Sequence, residues 1–336
     1  MKKFNLEVTA KCFNNINYYM REEFGIYNFS ENKCLRWLQK KYSAVVNVLN
    51  SVHCMKKNFD IIHPTYYHPY ILGRCSGKLI LTVHDMIHEK FADTYLRHDL
   101  KTVFRKRKMI RAADWIITIS ECTKRDLLYY YPEINPDKIS VIYHGSSAQK
   151  NLNHDKKILN PEKYILFVGS RGGYKNFNLF VKAMNFILKR DKDLKILCVG
   201  GGEFNKKELE LMGDNFSKFK QANLNDNELS DAYFNAQCFV YPSEYEGFGI
   251  PILEAFANNC PVVLSNASCF PEIASDAGEY FNPYDYQDMA EKIFNVINNN
   301  QLRNNLILKG LERLKNFSWD KTARETLECY NKALNS

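Results

Sequence analysis

The sequence lacks any run of apolar residues long enough to span a bilayer, which takes about 20 residues in a helix. No hydrophobic core of a secretory signal lies near Met1. The ten cysteines stand singly, without the paired spacing of metal ligands. Because scattered thiols are typical of a reducing compartment, we expect a cytoplasmic protein without a bound metal.

Basic residues are unevenly distributed along the chain. Residues 1–147 hold 23 Lys and Arg against 14 Asp and Glu, so the whole net charge of +8 comes from the N-terminal half. No helix-turn-helix, zinc-finger or RNA-recognition pattern accompanies this charge, and we expect no nucleic-acid partner. A membrane surface or an anionic acceptor explains the charge better.

Short apolar runs, typical of buried parallel strands, alternate with helical patterns along most of the 336 residues. A polar stretch at residues 146–161 interrupts this alternation and is typical of a linker. The pattern predicts an α/β protein with two doubly wound, Rossmann-like domains that face each other across a cleft. We place the first domain at residues 1–147 and the second at residues 148–316.

The most informative stretch runs from Tyr241 to Ala255. The apolar run from Cys238 to Tyr241 predicts a buried strand, which is followed by a loop with two glycines and a helix with Pro251 in its first turn. This geometry directs backbone N–H groups and the positive end of a helix dipole at an anion. Two carboxylates, Glu246 and Glu254, frame the loop. They are either acceptors for hydroxyl groups of a ligand or ordinary solvated carboxylates.

The letters E-G-F-G-x-P-x-x-E, followed by A and then P-V-V, resemble the signature of the family 4 glycosyltransferases, which have the GT-B fold. The resemblance covers roughly residues 59–335. It implies retaining, metal-independent transfer of a hexosyl unit from a nucleotide diphosphate sugar to a glycan or lipid-linked glycan acceptor. The expected setting is synthesis of a surface polysaccharide such as O-antigen, capsule or lipopolysaccharide, and no cofactor is implied. A C-terminal helix, within residues 317–336, should cross back to the first domain.

The resemblance also assigns roles within the central stretch. Glu246 would bind hydroxyl groups of the donor hexose, and Glu254 would bind those of the ribose. The amides of Gly247, Phe248 and Gly249 would stabilise the departing diphosphate in place of a metal.

A second anion-binding loop is predicted after the strand at residues 164–168. It begins at Gly169, ends at Asn176 and contains three glycines, Arg171 and Lys175. It resembles the family segment in which an Arg and a Lys bind the donor pyrophosphate. Lys175 matches the position of that Lys, whereas the position of the Arg varies between members.

His84 follows the predicted strand at residues 78–83, at the sheet edge where open α/β sheets bind ligands. The segment T-V-H-D resembles the family segment whose His reaches the donor sugar, which implies a catalytic role for His84. The alternative is a structural histidine that hydrogen-bonds to its neighbours.

A basic amphipathic helix is predicted at residues 95–112. Its expected apolar face consists of Leu96, Leu100, Val103, Phe104 and Ile110, and its basic residues are Arg97, Lys101, Arg105, Lys108 and Arg111. One interpretation is a helix packed on the sheet with a solvated basic face. The other is a peripheral contact with an anionic membrane surface on the inner face of the membrane.

Residues 1–58 contain one glycine, Gly25, and one predicted helix, from Lys33 to Leu49. Family 4 enzymes, as the resemblance implies, open with a buried strand and a Gly-Gly loop that leads into a helix. We therefore expect a truncated first domain without its first β/α unit.

Two other classes of protein compete with the transferase. A GT-B enzyme of another reaction, such as a sugar-nucleotide epimerase or a phosphorylase, would share the cleft. It should lack the paired Glu or, for a phosphorylase, carry a pyridoxal-binding Lys that we do not find. A catalytically impaired remnant that still binds sugar nucleotides is the second, and a missing first unit would favour it.

Overall fold

The computed structural model describes residues 59–74, 76–96, 99–146 and 163–336. Almost all of the predicted linker, the predicted helix at Lys33–Leu49 and the segment in which we expected a missing unit lie outside these ranges.

Within the described ranges, the first sheet contains four parallel strands in the order β1–β2–β3–β4. Their bounds are Ile61–Ile62 for β1, Lys78–Val83 for β2, Trp115–Thr118 for β3 and Ile139–Val141 for β4. Helices α1 (Ile87–Lys90), α2 (Leu100–Ala112) and α3 (Glu121–Tyr130) belong to the same unit. Ile80 and Leu81 are neighbours in β2 and face opposite sides of the sheet, yet both are buried, as is Ile117 in β3. Because both faces of the sheet are covered, β2 and β3 are mostly apolar.

Six parallel strands form the second sheet in the order β10–β9–β8–β5–β6–β7. They are β5 (Tyr164–Val168), β6 (Lys195–Val199), β7 (Phe219–Ala222), β8 (Cys238–Tyr241), β9 (Val262–Ser265) and β10 (Gly278–Phe281). The helices are α4 (Phe177–Leu188), α5 (Lys206–Met212), α6 (Asp226–Asn235), α7 (Ile250–Ala257), α8 (Phe270–Ala274), α9 (Tyr286–Asn298), α10 (Asn300–Leu314) and α11 (Trp319–Leu334). The prediction of two parallel-sheet α/β domains is confirmed.

The order of the second sheet contains a topological switch point. From β5 the chain adds β6 and β7 on one side, and then β8, β9 and β10 on the other. The loops that leave β5 and β8 therefore start from neighbouring strands at the same edge of the sheet. In open α/β sheets, ligands bind at this position.

The last helix, α11, packs against the first sheet rather than the second. Its buried residues share one apolar cluster with strand residues; the members are Ile80, Ile117, Ile142, Cys329, Tyr330 and Ala333. The ring of His63, just after β1, is hydrogen-bonded to the Tyr330 hydroxyl at 2.8 Å and to Thr82 Oγ1 at 2.8 Å. Helix α11 thus contributes to the core of the first sheet.

Helix α2 is rotated relative to our expectation for residues 95–112. Lys106, Met109 and Ile110 are buried, whereas Leu100 is 61 % exposed and Phe104 is 50 % exposed. The prediction that Leu100 and Phe104 belong to the buried apolar face is therefore wrong. Lys106 lies inside because its Nζ atom forms an ion pair with Glu89 at 2.6 Å and donates to the Asp85 carbonyl at 2.9 Å. A buried charge is tolerated when it is paired in this way.

Gly145, after β4, allows the start of α11 to approach the first sheet. A Cβ atom at this position would lie 2.2 Å from the Trp319 backbone nitrogen. We predict that Gly145→Ala lowers the melting temperature, because such overpacking typically costs about 1–3 kcal/mol.

Gly172→Ala is the matched control for this substitution. Its new methyl group would meet no atom within 4 Å, and its backbone φ of −90° suits any residue. Its melting temperature should equal or slightly exceed that of the wild type. Calorimetry on both variants checks this, and equal melting temperatures for Gly145→Ala and Gly172→Ala would contradict the packing argument.

Candidate active site

Lys175 and Glu246 meet at the switch point of the second sheet. Lys175 lies in the loop after β5 and Glu246 in the loop after β8. Lys175 Nζ donates to Glu246 Oε1 at 2.5 Å, and Ser243 Oγ donates to the same oxygen at 2.7 Å. The two charged side chains are only 17 % and 11 % exposed. Water and salt therefore screen this pair less than a surface pair.

The glycine loop leads directly into α7. Gly249 is the residue before the helix, and its φ of +93° lies in the left-handed region that glycine adopts readily. Pro251 occupies the first turn, as predicted. The amides of Gly247, Phe248 and Gly249 thus precede the positive end of a helix dipole, which favours an anion.

Glu254 lies on α7, in the second turn of the helix. The hydroxyl group of the buried Tyr233, on α6, donates to Glu254 Oε2 at 3.0 Å. Burial raises the pKa of Glu254, and this hydrogen bond opposes the shift. Further hydroxyl donors from a ligand would stabilise the charged carboxylate in the same way.

Gly247 is held between the two domains. A Cβ atom on Gly247 would lie 1.9 Å from the carbonyl oxygen of His84, so a side chain cannot fit there. The Gly247 carbonyl accepts hydrogen bonds from Ser120 Oγ at 2.7 Å and from Thr123 Oγ1 at 3.2 Å. The glycine loop of the second domain therefore contacts His84 of the first domain. The site predicted at the glycine loop and the one predicted at His84 are a single site.

A second contact between the domains involves the start of α3. The carboxylate of Glu272, on α8, accepts from the backbone N–H of Glu121 at 2.6 Å and from that of Cys122 at 2.9 Å. A carboxylate at a helix N-terminus satisfies free N–H groups and favours the helix dipole. This contact holds the domains together on the same side as Gly247.

His84 is half-buried at the carboxyl end of β2. Its backbone N–H donates to the Tyr67 hydroxyl at 3.0 Å, and its ring stacks on that of His144 with centroids 6.1 Å apart. Burial lowers the pKa of His84; Asp85 opposes the shift and Lys106 adds to it. The imidazole is therefore neutral near pH 7, with one N–H donor and one nitrogen acceptor.

Arg171 has a different role from the one expected. Its guanidinium forms an ion pair with Glu208 at 2.8 Å and donates to the carbonyls of Gly200, Gly202 and Glu203 at 2.8–2.9 Å. The side chain is 4 % exposed. Because these contacts occupy the guanidinium, Arg171 anchors the loop after β6 instead of offering donors to a diphosphate. Gly169, the first residue of its loop, has a φ of +126° that requires glycine.

Several residues of the site were not predicted from the sequence. Ser243 and Tyr233 orient the two carboxylates, and Ser120 and Thr123 bind the Gly247 carbonyl. Ser268 Oγ accepts from the Glu246 N–H at 3.2 Å and donates to its carbonyl at 2.6 Å. Ser243 belongs to the central stretch and could have been found there. The others come from distant parts of the chain and carry no local signal.

The two parallel-sheet domains and the cleft between them define the GT-B fold. Similar solved structures include sucrose-phosphate synthase from Thermosynechococcus elongatus, with a TM-score of 0.72, 20% identity, and coverage of 91% of this chain and 80% of that one. A glycosyltransferase from Rickettsia africae has a TM-score of 0.68 and 20% identity, with 94% and 87% covered.

The family follows from the sequence comparisons. The model "Glycosyltransferase Family 4" matches residues 18–150, and the model "Glycosyl transferases group 1" matches residues 149–313. The chain belongs to the family 4 glycosyltransferases. Since the match begins at residue 18, the resemblance extends further toward the N-terminus than the predicted limit at residue 59.

The relatives include two O-antigen enzymes. O-antigen chain mannosyltransferase RfbU of Salmonella typhimurium is 30% identical over 221 residues, which cover 64% of this chain and 60% of that protein. O-antigen chain mannosyltransferase B of Escherichia coli is 39% identical over 105 residues, with 31% and 28% covered. The matched region thus spans less than two thirds of each relative.

We predict that Arg171→Ala destabilises the fold. It would leave the buried Glu208 carboxylate without its cation, with the Asn205 backbone N–H as a remaining partner, and breaking a buried ion pair typically costs about 3–5 kcal/mol. The double variant Arg171→Met, Glu208→Met removes both charges and should regain much of this loss. Thermal unfolding of the three proteins checks the difference. If Arg171→Ala keeps wild-type stability but binds a nucleoside diphosphate more weakly, Arg171 binds phosphate as the sequence predicted.

Proposed function

We propose that this chain transfers a hexosyl unit from a nucleotide diphosphate sugar to a glycan or lipid-linked glycan acceptor, with retention of configuration and without a metal ion. The observation that carries the proposal is the Lys175–Glu246 pair, placed at the switch point beside the start of α7. It combines a cation for phosphate with a carboxylate for sugar hydroxyls, and a sugar nucleotide carries both groups.

The reaction needs stabilisation of the leaving diphosphate. Negative charge accumulates on its oxygens as the glycosidic bond breaks, and Lys175 together with the amides of Gly247, Phe248 and Gly249 would stabilise that charge. The backbone amides are fixed before the substrate binds, whereas Lys175 would have to change its partner. In this proposal the diphosphate competes with Glu246 for Lys175, which frees the carboxylate to accept hexose hydroxyls.

The remaining residues would position the sugar nucleotide. Glu254, whose carboxylate accepts a hydrogen bond from Tyr233, would accept the two ribose hydroxyls. The neutral ring of His84, from the first domain, would bind a hydroxyl group of the hexose. Because the Gly247 backbone lies against the His84 carbonyl, one substrate would contact groups of both domains.

The activities of the relatives support a role in surface polysaccharide synthesis. Both relatives described above are O-antigen chain mannosyltransferases. We therefore propose synthesis of a surface polysaccharide on the cytoplasmic side of the membrane, and a mannosyl nucleotide is the first donor to test.

A thermal-shift screen of sugar nucleotides tests the donor. A bound donor raises the melting temperature. At a donor concentration of 100 times Kd, binding adds about 2.7 kcal/mol to the free energy of unfolding. Glu254→Ala should weaken binding of the stabilising nucleotide, and Glu246→Ala should mainly lower turnover. Each truncation should cost about 1.5–3 kcal/mol, as for hydrogen bonds to a charged group.

Glu210→Ala serves as the control, since the Glu210 side chain is 64 % exposed on α5. It should bind and react like the wild type. If Glu246→Ala and Glu254→Ala both retain wild-type affinity and rate, the assignment of the two carboxylates is wrong. If no sugar nucleotide stabilises the wild type, the transferase proposal fails.

We also propose that α2 docks on an anionic membrane surface. In the described ranges, no helix has the length and hydropathy to cross a membrane. On α2, the exposed Leu100 and Phe104 lie among the exposed Lys101, Arg105 and Lys108. Exposed apolar side chains surrounded by basic ones are typical of helices that bind the membrane interface. Arg97, part of the same prediction, lies outside the described residues.

Charge reversal tests this docking. Changing Lys101, Arg105 and Lys108 to Glu should abolish sedimentation with anionic liposomes at low salt, because each basic residue near the surface contributes about 1 kcal/mol. The control reverses three exposed lysines of the second domain, Lys206, Lys207 and Lys220, and should sediment like the wild type. A wild-type protein that stays in the supernatant would show that the basic face of α2 is only solvated.

A further inference from the structure

An aromatic segment leaves β1 at the edge of the sheet where His84 lies. It reads His-Pro-Thr-Tyr-Tyr-His-Pro-Tyr, from His63 to Tyr70, and the roles assigned so far use none of its exposed rings. Loops that follow parallel strands meet at the carboxyl edge of the sheet. This segment is therefore on the cleft side of the first domain.

Tyr67 anchors the segment to the candidate active site. Its side chain is 4 % exposed, and its hydroxyl accepts the backbone N–H of His84 at 3.0 Å. The Nζ atom of Lys106 lies 5.4 Å from the centroid of its ring. The segment is thus fixed relative to His84 by a hydrogen bond and a cation–π contact.

Three further rings extend from Tyr67 in a row, which we call the aromatic shelf: Tyr66, His68 and Tyr70. The Tyr66 ring is 4.8 Å from that of Tyr67, the His68 ring 6.0 Å from that of Tyr66, and the Tyr70 ring 6.4 Å from that of His68. Tyr66 is 47 % exposed. The shelf presents aromatic surface to solvent while its base is fixed.

Charged groups of both signs flank the shelf. Burial, together with the negative charges of Asp85 and Asp99, raises the pKa of Tyr66. Burial and the positive charge of Arg105 lower the pKa of His68. Asp85 follows His84 in the chain, Asp99 caps the start of α2, and Arg105 is exposed on that helix.

We propose that the aromatic shelf is the subsite for a hexose ring of the acceptor glycan. The C–H face of a pyranose ring is apolar and packs against an aromatic ring, while its hydroxyl groups hydrogen-bond to carboxylates. Tyr66 supplies the ring and Asp85 the carboxylate, which is 27 % exposed. The position beside His84 favours the acceptor as occupant. This inference rests on the proposed transferase function.

Saturation-transfer NMR tests the shelf without requiring turnover. The probes are mannobiose and N,N′-diacetylchitobiose, each with and without GDP or UDP. We expect saturation transfer to the sugar protons of at least one disaccharide in the wild type. Tyr66→Ala should weaken its binding about tenfold, and Tyr66→Phe should bind it like the wild type because the ring is kept.

Tyr129→Ala is the matched control, since Tyr129 is 79 % exposed on α3 of the same domain and outside the shelf. It should bind the disaccharide like the wild type. The affinity for the nucleotide, measured by thermal shift, should differ less than twofold between Tyr66→Ala and the wild type. With an active acceptor, Tyr66→Ala should raise the acceptor KM about tenfold.

The outcomes separate the two proposals. A wild type whose melting temperature no sugar nucleotide raises contradicts the transferase function. The saturation-transfer signal of the disaccharide does not depend on that result. A wild type that binds neither disaccharide overturns the shelf proposal. Equal affinity of Tyr66→Ala and the wild type for the disaccharide also overturns the shelf proposal. Equal affinity is the result expected if the aromatic rings contact a protein partner instead of a sugar.

Discussion

The close approach of the Gly247 backbone to the His84 carbonyl is the constraint on which the site depends. The two groups belong to different domains, and no side chain fits between them. Ser120 and Thr123 hold the Gly247 carbonyl from the same side. This contact fixes where the glycine loop, and with it the start of α7, lies relative to the first sheet. A larger residue at this position would separate the domains rather than merely strain a turn.

Two buried cation–carboxylate pairs of similar geometry have different roles. Arg171 and Glu208 are surrounded by backbone carbonyls, so the pair is complete and supports the loop after β6. Lys175 and Glu246 lie at the switch point of the sheet, where, in the proposed function, a diphosphate would replace Glu246 as the partner of Lys175. The planar guanidinium binds several carbonyls at once, whereas an ammonium on a flexible chain can move to a phosphate. The difference between the two pairs follows from this chemistry.

The first domain uses its basic residues in two ways. Lys106 is buried, where Glu89 and the Asp85 carbonyl compensate for its charge beneath Tyr67 and the aromatic segment. Lys101, Arg105 and Lys108 remain exposed on the same helix beside Phe104. Helix α2 therefore supports the cleft on one face and presents a basic, partly apolar surface on the other. A transferase that receives a lipid-linked acceptor would need both.

The sequence by itself determined the local elements and the position of the glycine loop before α7. The strands at residues 78–83, 164–168 and 238–241 were predicted with their observed bounds, because strands buried on both faces are continuous apolar runs. The turn from β8 into α7 followed from Gly249 and Pro251, whose backbone preferences are local. The sequence motif also indicated the family.

Tertiary structure alone decided which side chains meet. Lys175 and Glu246 are 71 residues apart, and only the switch in strand order places their loops side by side. The guanidinium of Arg171 is suited to binding phosphate, but Glu208, 37 residues further along the chain, is its partner and determines its role. The periodicity of α2 placed Phe104 inside and could not predict the buried Lys106, because the stability of a buried charge depends on partners from another element. Long-range pairing leaves no signal in local sequence, and for this reason the contacts of the site required the fold.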